Sequence, residues 1–120
     1  MSDVFESESN HISFNLIRNE IKRMYNRIKS DSKVMCIYVH ITLYKSSIEL
    51  YRDSIESAPF ESVSIDSHID GLYEELLSIQ RFDGGDSYYL LDISVRGWGA
   101  TLKFKRSISF PLTEDFLRKE

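Results

Sequence analysis

The spacing of apolar residues alternates between a helical and an extended period along this chain, and that alternation limits the folds available to it. Apolar residues recur at three- and four-residue steps over 14–28, and at two-residue steps over 34–44. The same succession returns later, with a helical spacing over 67–82 and an alternating one over 88–106. The first spacing is typical of a helix with one buried side, and the second of a strand with one buried face. We therefore expect helices combined with antiparallel hairpins.

The first half of the chain predicts one helix and one hairpin. Asn10 or Ser13 is a candidate N-cap for the helix, whose buried side would carry Phe14, Ile17, Ile21, Met24 and Ile28. The first strand would bury Met35, Ile37, Val39, Ile41 and Leu43, and Lys45-Ser46-Ser47 predicts the turn after it. In the second strand the alternation places Ile48 and Leu50 towards the core. It places three residues outward: Glu49, Tyr51 and Asp53.

The second half predicts another helix and another hairpin after a less regular segment. Val63 and Ile65 suggest a short edge strand in that segment. The next helix is expected from Ser67 to Phe82, with Asp66 or Ser67 as its N-cap, and the glycines of Asp83-Gly84-Gly85-Asp86 end it. The second hairpin turns at Gly97-Trp98-Gly99, and Thr113 caps a short C-terminal segment.

These elements have the order α-β-β-(β)-α-β-β-(α), in which the bracketed elements are short. The expected fold class is α+β: a two-layer sandwich in which an antiparallel sheet of four to five strands carries the helices on one face. Residues 1–12 are expected to form a polar leader and residues 13–120 a single domain, which is long enough to bury a core without metals or disulfides. The one cysteine, Cys36, has no partner for an internal disulfide.

The N-terminal residues and the hydropathy of the chain indicate a cytoplasmic protein. The segment MSDVFESESN is acidic and polar, so it lacks the basic and apolar regions of a secretory signal. No apolar run approaches the ~18 residues of a membrane-spanning helix. We therefore expect a reducing cytoplasm as the location and no membrane partner.

Acidic residues are concentrated in the middle of the chain. Residues 49–92, which we call the acidic block, hold eleven Asp and Glu residues against only Arg52 and Arg81, a local charge of −9. The whole chain sums to −4, so the flanking segments are net basic. This dipolar arrangement favours a positively charged partner. The alternative interpretation is that the block is solvated and serves solubility alone.

The sheet face away from the helices is the candidate binding surface. Tyrosine rings offer rigid contact area with a polar tip, and carboxylates pair with Lys and Arg, so a face with both suits protein binding. Alternatively, strands favour tyrosine for intrinsic reasons, and solvated sheet faces are commonly polar. Trp98, at the hairpin tip, is either an exposed anchor or folded back onto the sheet. The candidate partner-binding residues are Tyr38, His40, Tyr44, Glu49, Tyr51, Asp53, Glu56, Asp86, Tyr88, Asp92 and Trp98.

The sequence indicates no enzyme, no cofactor and no metal site. Three histidines, His11, His40 and His68, are scattered and lack the close spacing of metal ligands. Cys36 falls in an apolar strand, without a feature that would activate its thiol. The glycine-containing segments lead into strands and lack the Gly-Lys-Ser/Thr ending of a phosphate-binding loop. Nucleic acid is not an expected partner either, because the pI near 5.4 opposes phosphate binding.

The helix from Ser67 to Phe82 and the run YYLLDISVRGWGATLKFKR from Tyr88 to Arg106 resemble parts of small bacterial immunity proteins. These immunity proteins are of the YezG-like or contact-dependent growth inhibition type. The resemblance covers about residues 13–110. It implies an antitoxin that binds a cognate toxin, frequently a basic nuclease, and masks its active site or substrate groove. No catalytic residues come with it. The acidic block would then mimic a phosphate backbone and accelerate association.

A second resemblance is to type III secretion chaperones, which are also small, acidic and α+β. It implies a dimer that holds an extended effector segment in hydrophobic grooves, or another acidic adaptor. This sequence does not display paired apolar grooves, and its expected open face is polar. A toxin inhibitor would be preformed and would associate more slowly as salt rises, whereas a chaperone would be a constitutive dimer.

Overall fold

In residues 12–58, 65–83, 87–99 and 102–118, which a computed structural model describes, the chain adopts the expected α+β fold. The elements follow the order α-β-β-α-β-β-α. Their bounds are α1 (Phe14–Lys29), β1 (Cys36–Lys45), β2 (Ile48–Ser57), α2 (Ile65–Asp83), β3 (Tyr88–Trp98), β4 (Lys103–Pro111) and α3 (Glu114–Leu117). Thr113 caps α3 as predicted, because its Oγ1 accepts a hydrogen bond from the Phe116 backbone N–H at 3.1 Å.

The two hairpins join side by side into one antiparallel sheet with the strand order β2-β1-β3-β4. The central contact is the pairing of β1 with β3, which runs from Cys36 opposite Trp98 to Tyr44 opposite Leu90. The strands β2 and β4 are therefore the two edges. Both hairpins were expected from the sequence, but the second turn was expected at Gly97-Trp98-Gly99, whereas Gly97 and Trp98 belong to β3 and pair with β1. The antiparallel pairing of β1 with β3 places the two hairpins side by side.

The core lies between one face of this sheet and the helices. On α1 the five residues predicted from the helical spacing are buried, and Tyr25 joins them. The sheet contributes alternating residues, including Ile37, Val39, Ile41 and Leu43 from β1 and Tyr89, Leu91, Ile93 and Val95 from β3. Each fully buried aliphatic side chain contributes about 1.5–3 kcal/mol. Ile12 also packs against this core, partly buried.

The β1–β2 hairpin contains the main departure from the predicted pattern. Ser46 and Ser47 form its turn with positive φ angles of 51° and 69°, the conformation that suits a two-residue hairpin loop. Beyond the turn, Tyr44 pairs with Glu49 but Leu43 pairs with Tyr51, so Leu50 is an inserted residue that bulges the strand. One inserted residue reverses which side chains of β2 face the core.

The prediction for the facing of β2 was therefore wrong from Leu50 onward, whereas Glu49 faces outward as expected. Ile48 and Leu50, expected in the core, are 65% and 39% exposed. Tyr51 and Asp53, expected on the outer face, lie on the helix side together with the buried Ile55 and Ser57. The hydroxyl of Ser57 is satisfied there by a hydrogen bond with the Tyr25 hydroxyl at 3.2 Å.

Smaller departures occur at element boundaries. Met35, expected in the core, lies before β1 and is 58% exposed. Ile65 was expected in an edge strand but begins α2, because it continues the helical series of Ile69, Leu72 and Leu76 and packs against the core. Val63, Asn10 and residues 1–11 of the expected leader lie outside the described residues.

Candidate binding face

The sheet face opposite the helices is uncovered in the part of the chain that the structure describes, and we call it the open face. Its side chains alternate with core side chains along each strand. From β1 it carries Cys36, Tyr38, His40, Thr42 and Tyr44, and from β2 it carries Glu49, Arg52, Ser54 and Glu56. From β3 it carries Tyr88, Leu90, Asp92, Ser94, Arg96 and Trp98, and from β4 it carries Lys103, Lys105, Ser107 and Ser109.

Eight of the eleven candidate residues lie together on this face: Tyr38, His40, Tyr44, Glu49, Glu56, Tyr88, Asp92 and Trp98. Two candidates do not, because the bulge at Leu50 turns Tyr51 and Asp53 towards α2. There the Asp53 carboxylate lies 2.8 Å from Nδ1 of His68, so it holds β2 against α2. The last candidate, Asp86, lies outside the described residues.

Aromatic rings are spread over the length of the open face. Tyr88 and Trp98, at opposite ends of β3, are 66% and 62% exposed, so the tryptophan is not folded back onto the sheet. Tyr38 and Tyr44 are half-buried on β1. The guanidinium of Arg96 lies over the Tyr38 ring, 4.6 Å from the ring centroid, a cation–π contact that the sequence analysis had not identified. The open face therefore carries large, semi-rigid contact surface.

Charged residues divide the open face into two sides. The edge strand β2 contributes the carboxylates of Glu49 and Glu56, and the opposite edge β4 contributes the ammonium groups of Lys103 and Lys105. The Glu49 carboxylate also accepts a hydrogen bond from Arg52 at 2.8 Å. With Arg52 included, the open-face charges of β2 sum to −1 and those of β4 to +2, so the face is weakly acidic towards β2 and basic towards β4, rather than acidic throughout as the candidate residues alone suggested.

Much of the acidic block lies on α2, away from the open face. Its Asp66 lies 3.1 Å from the Lys22 ammonium of α1, and Asp70 lies 3.9 Å from the Arg18 guanidinium. These pairs are exposed and contribute on the order of 0–1 kcal/mol each. They nevertheless mean that basic α1 and acidic α2 offset one another locally, so the block does not form one continuous negative surface.

A polar cluster joins the end of α2 to the sheet on the helix side. Lys45 Nζ lies 3.1 Å from both carboxylate oxygens of Asp83, and the Tyr89 hydroxyl donates a hydrogen bond to the same carboxylate. The hydrogen bond from Tyr89 and then the contact with Lys45 lower the pKa of Asp83, while burial and then the hydrogen bond to Asp83 raise the pKa of Tyr89. The cluster holds three elements together and was not predicted.

Among the residues that the structure describes, no group of three or more His, Cys, Asp or Glu side chains is placed to hold a metal ion. Within the same ranges, none of the helices combines the length and apolar character needed to cross a membrane.

Comparisons with protein-family models, with curated proteins and with solved structures gave no match for this chain. The resemblance to immunity proteins therefore stays a prediction.

Proposed function

We propose that this chain is a protein-binding inhibitor of the immunity type, which neutralises a cognate toxin by docking it on the open face. One observation carries the proposal: eight residues chosen for aromatic or acidic character come together on the one sheet face that no described element covers. Two of them, Tyr88 and Trp98, are large and mostly exposed. Exposed aromatic side chains on a rigid sheet are typical anchors of protein interfaces.

The size of the open face suits a complete interface. Four strands spaced about 4.8 Å apart, each roughly 30 Å long, give a face of on the order of 500 Å² in projection. Its accessible area is larger, because side chains project from it, and it approaches the roughly 800 Å² that one partner buries in a standard interface. The toxin therefore needs no surface beyond this face for a stable complex.

The charges of the open face narrow the chemistry of the toxin. The Glu56 carboxylate on β2 calls for Lys or Arg on the toxin opposite that edge, whereas Glu49 is already paired with Arg52. Lys103 and Lys105 along β4 call for Asp or Glu opposite the other edge. The proposed toxin surface is thus basic opposite Glu56 on β2, as expected for a nuclease-like protein, and acidic at the β4 margin.

The inhibition is proposed to be steric and to need no catalytic group or cofactor. A sheet packed on two helices is preformed, so little conformational entropy is lost when the toxin binds. Little of the interaction energy is therefore needed to order the inhibitor. The bound sheet occludes the toxin's active site or substrate groove. The chain itself would act in the cytoplasm, where a toxin inhibitor protects its own cell.

The test is site-specific photocrosslinking in the source organism. A benzophenone amino acid replaces Tyr88 on the open face, and in a matched control it replaces Glu74, which is exposed on α2. The expected result is one protein crosslinked from position 88 and none from position 74. The purified partner should have a toxic activity that the chain suppresses in a one-to-one complex. A partner crosslinked equally from both positions, or one whose activity the chain leaves unchanged, contradicts the proposal.

Binding measurements with the purified toxin test the anchors separately. Tyr88→Ala and Trp98→Ala should each raise the Kd about 30-fold, the size expected for an interface hot spot of about 2 kcal/mol. Glu74→Ala should leave the Kd within about twofold. Equal affinity of all three variants would show that the toxin binds elsewhere.

A second candidate, a chaperone or adaptor, is favoured by an apolar surface at the end of the β1–β2 hairpin. A cleft of about 370 Å³ lies there, with Leu50, Ile79 and Phe82 among its lining residues, and Phe82 is 90% exposed. Such a cleft suits an extended apolar segment of a client protein. In that case the chain should be a dimer by light scattering, and Phe82→Ser rather than Tyr88→Ala should abolish binding.

A further inference from the structure

A cleft of about 330 Å³ lies at the end of the open face that is nearest the β1–β2 turn. Its walls include Tyr44, Leu90 and Tyr88, and the Asp92 carboxylate lies on its lining. Tyr44 and Leu90 are directly opposite one another in the β1–β3 register, so their positions are set by the two central strands of the sheet. Tyr89 also lines the cleft, which thus combines three tyrosines, one leucine and one aspartate on a rigid sheet.

The Asp92 carboxylate has capacity for a further ligand. It accepts a hydrogen bond from the Ser107 hydroxyl at 2.5 Å. Within the described ranges, no Lys or Arg side chain forms an ion pair with it, although Asp92 also lines the neighbouring depression together with Lys105 and Arg106. No cationic side chain lies among the described residues that line the cleft. A half-buried carboxylate beside aromatic rings favours a cation.

The other end of the same face shows which cation fits such a surface. There, Tyr38 lies directly opposite Arg96 in the register, and the guanidinium stacks over the tyrosine ring at 4.6 Å. Tyr44 occupies the equivalent position on β1 but lies opposite Leu90, which has no charge. The cleft therefore offers tyrosine rings and a carboxylate, whereas Arg96 lies at the opposite end of the face and Arg52 is paired with Glu49.

We propose that this cleft binds one arginine side chain of the partner protein, with the guanidinium stacked on Tyr44 or Tyr88 and paired with Asp92. The inference rests on the proposed function, since it names the anchor by which the toxin would engage the open face. Arginine fits better than lysine because its planar group stacks on aromatic rings and makes two parallel hydrogen bonds to one carboxylate. The flanking hydroxyls of Ser46 and Ser47 can accept its remaining N–H groups.

The test is an NMR titration of the full chain with N-acetyl-arginine N-methylamide. Three comparisons accompany it: the citrulline analogue, which has the same shape without the charge, the lysine analogue, and the Asp92→Asn variant. We expect saturable shifts confined to the amides of Tyr44, Leu90 and Asp92, with citrulline and Asp92→Asn each weakening binding about tenfold. Lysine should bind several-fold more weakly than arginine. Glu74→Gln, which removes an exposed charge on α2 away from the open face, should leave arginine binding unchanged.

Three results overturn the inference: no saturable shifts at the cleft with arginine, equal binding of citrulline, or lysine binding as tightly as arginine. If Asp92→Asn perturbs the fold, Tyr88→Ser provides the variant instead, because a side chain that is 66% exposed contributes little to the core. A negative titration and a negative crosslinking experiment have different consequences. A toxin captured on the open face with no arginine binding removes this inference alone, whereas arginine binding with no toxin captured retains the cleft and removes the proposed function.

Discussion

Replacing Gly99 by alanine should destabilise the fold more than the same replacement at any other described glycine. Gly99 follows β3 with a φ of +92°, a conformation that L side chains rarely adopt. A Cβ atom there would lie closer than 3.0 Å to the Lys33 carbonyl oxygen, which is backbone and cannot swing aside. Where these two chain segments meet, the Met35 N–H also donates a hydrogen bond to the Trp98 carbonyl at 2.7 Å.

The magnitude follows from these two costs. A non-glycine residue held in a sparsely populated backbone region costs about 1–3 kcal/mol. Moving the Lys33 backbone to relieve the contact weakens the neighbouring hydrogen bond, which adds about 0.5–1.5 kcal/mol. The expected loss for Gly99→Ala is therefore about 2–4 kcal/mol, or a fall in Tm of roughly 10 °C for a chain of this length.

Urea unfolding followed by circular dichroism and by tryptophan fluorescence measures this loss. Trp98 is the only tryptophan and adjoins the substituted residue, so its emission also reports any local change in the native state. The matched control is Gly71→Ala on α2, where a Cβ atom would meet only the Tyr51 hydroxyl at an ordinary 3.7 Å. That change should stabilise the fold by about 0.5–1 kcal/mol. If the two variants have the same stability, the reasoning from backbone angle and close approach is refuted.

Three further predictions concern stability. Ser57→Ala should cost about 1–2 kcal/mol by removing the buried hydrogen bond to Tyr25, and it should cost much less in a Tyr25→Phe background; a double-mutant cycle by urea unfolding checks this. The hydrogen bond from Tyr89 lowers the pKa of Asp83, so this carboxylate stabilises the fold above its ordinary pKa and loses that effect as pH falls through the lowered value. The stability difference between the wild type and Asp83→Asn should accordingly shrink as pH falls from 7 to 3, and a constant difference would contradict it. Phe110→Ala should cost about 3–5 kcal/mol, because this fully buried ring is stacked at 4.4 Å on the phenylalanine of α3; thermal unfolding measures it, and a cost below about 1 kcal/mol would exclude a packed ring.

The elements that could be predicted are those in which several residues repeat one period. On α1, five positions from Phe14 to Ile28 agree on one buried side, and on β3 four positions from Tyr89 to Val95 agree on one buried face. Each such series is long enough that one atypical residue does not change its period. The antiparallel fold class then followed from the two hairpins, whose connections are too short for any other pairing.

The candidate site could be predicted only where the register is regular. Tyr38, Tyr44, Tyr88 and Asp92 were correctly placed because β1 and β3 pair without interruption. Asp53 was misplaced because Leu50 bulges out of β2, and a leucine has no local signature of a bulge. The Asp83 cluster could not be predicted at all, since it joins residues from three elements whose packing the linear pattern does not specify.

Part of the charge asymmetry of the sequence is used within the fold, because the basic and acidic helices lie side by side. In the linear chain, basic α1 and the acidic block suggest a dipole available to a partner; in the fold, Lys22 and Arg18 of α1 lie beside Asp66 and Asp70 of α2. Part of that asymmetry therefore serves the contact between two helices, and the open face retains charges of both signs on opposite edges. A partner would then be selected by matched local pairs and by aromatic anchors more than by net charge. Long-range steering should be correspondingly modest, because fields of opposite sign from the two edges of one narrow sheet cancel beyond about a Debye length.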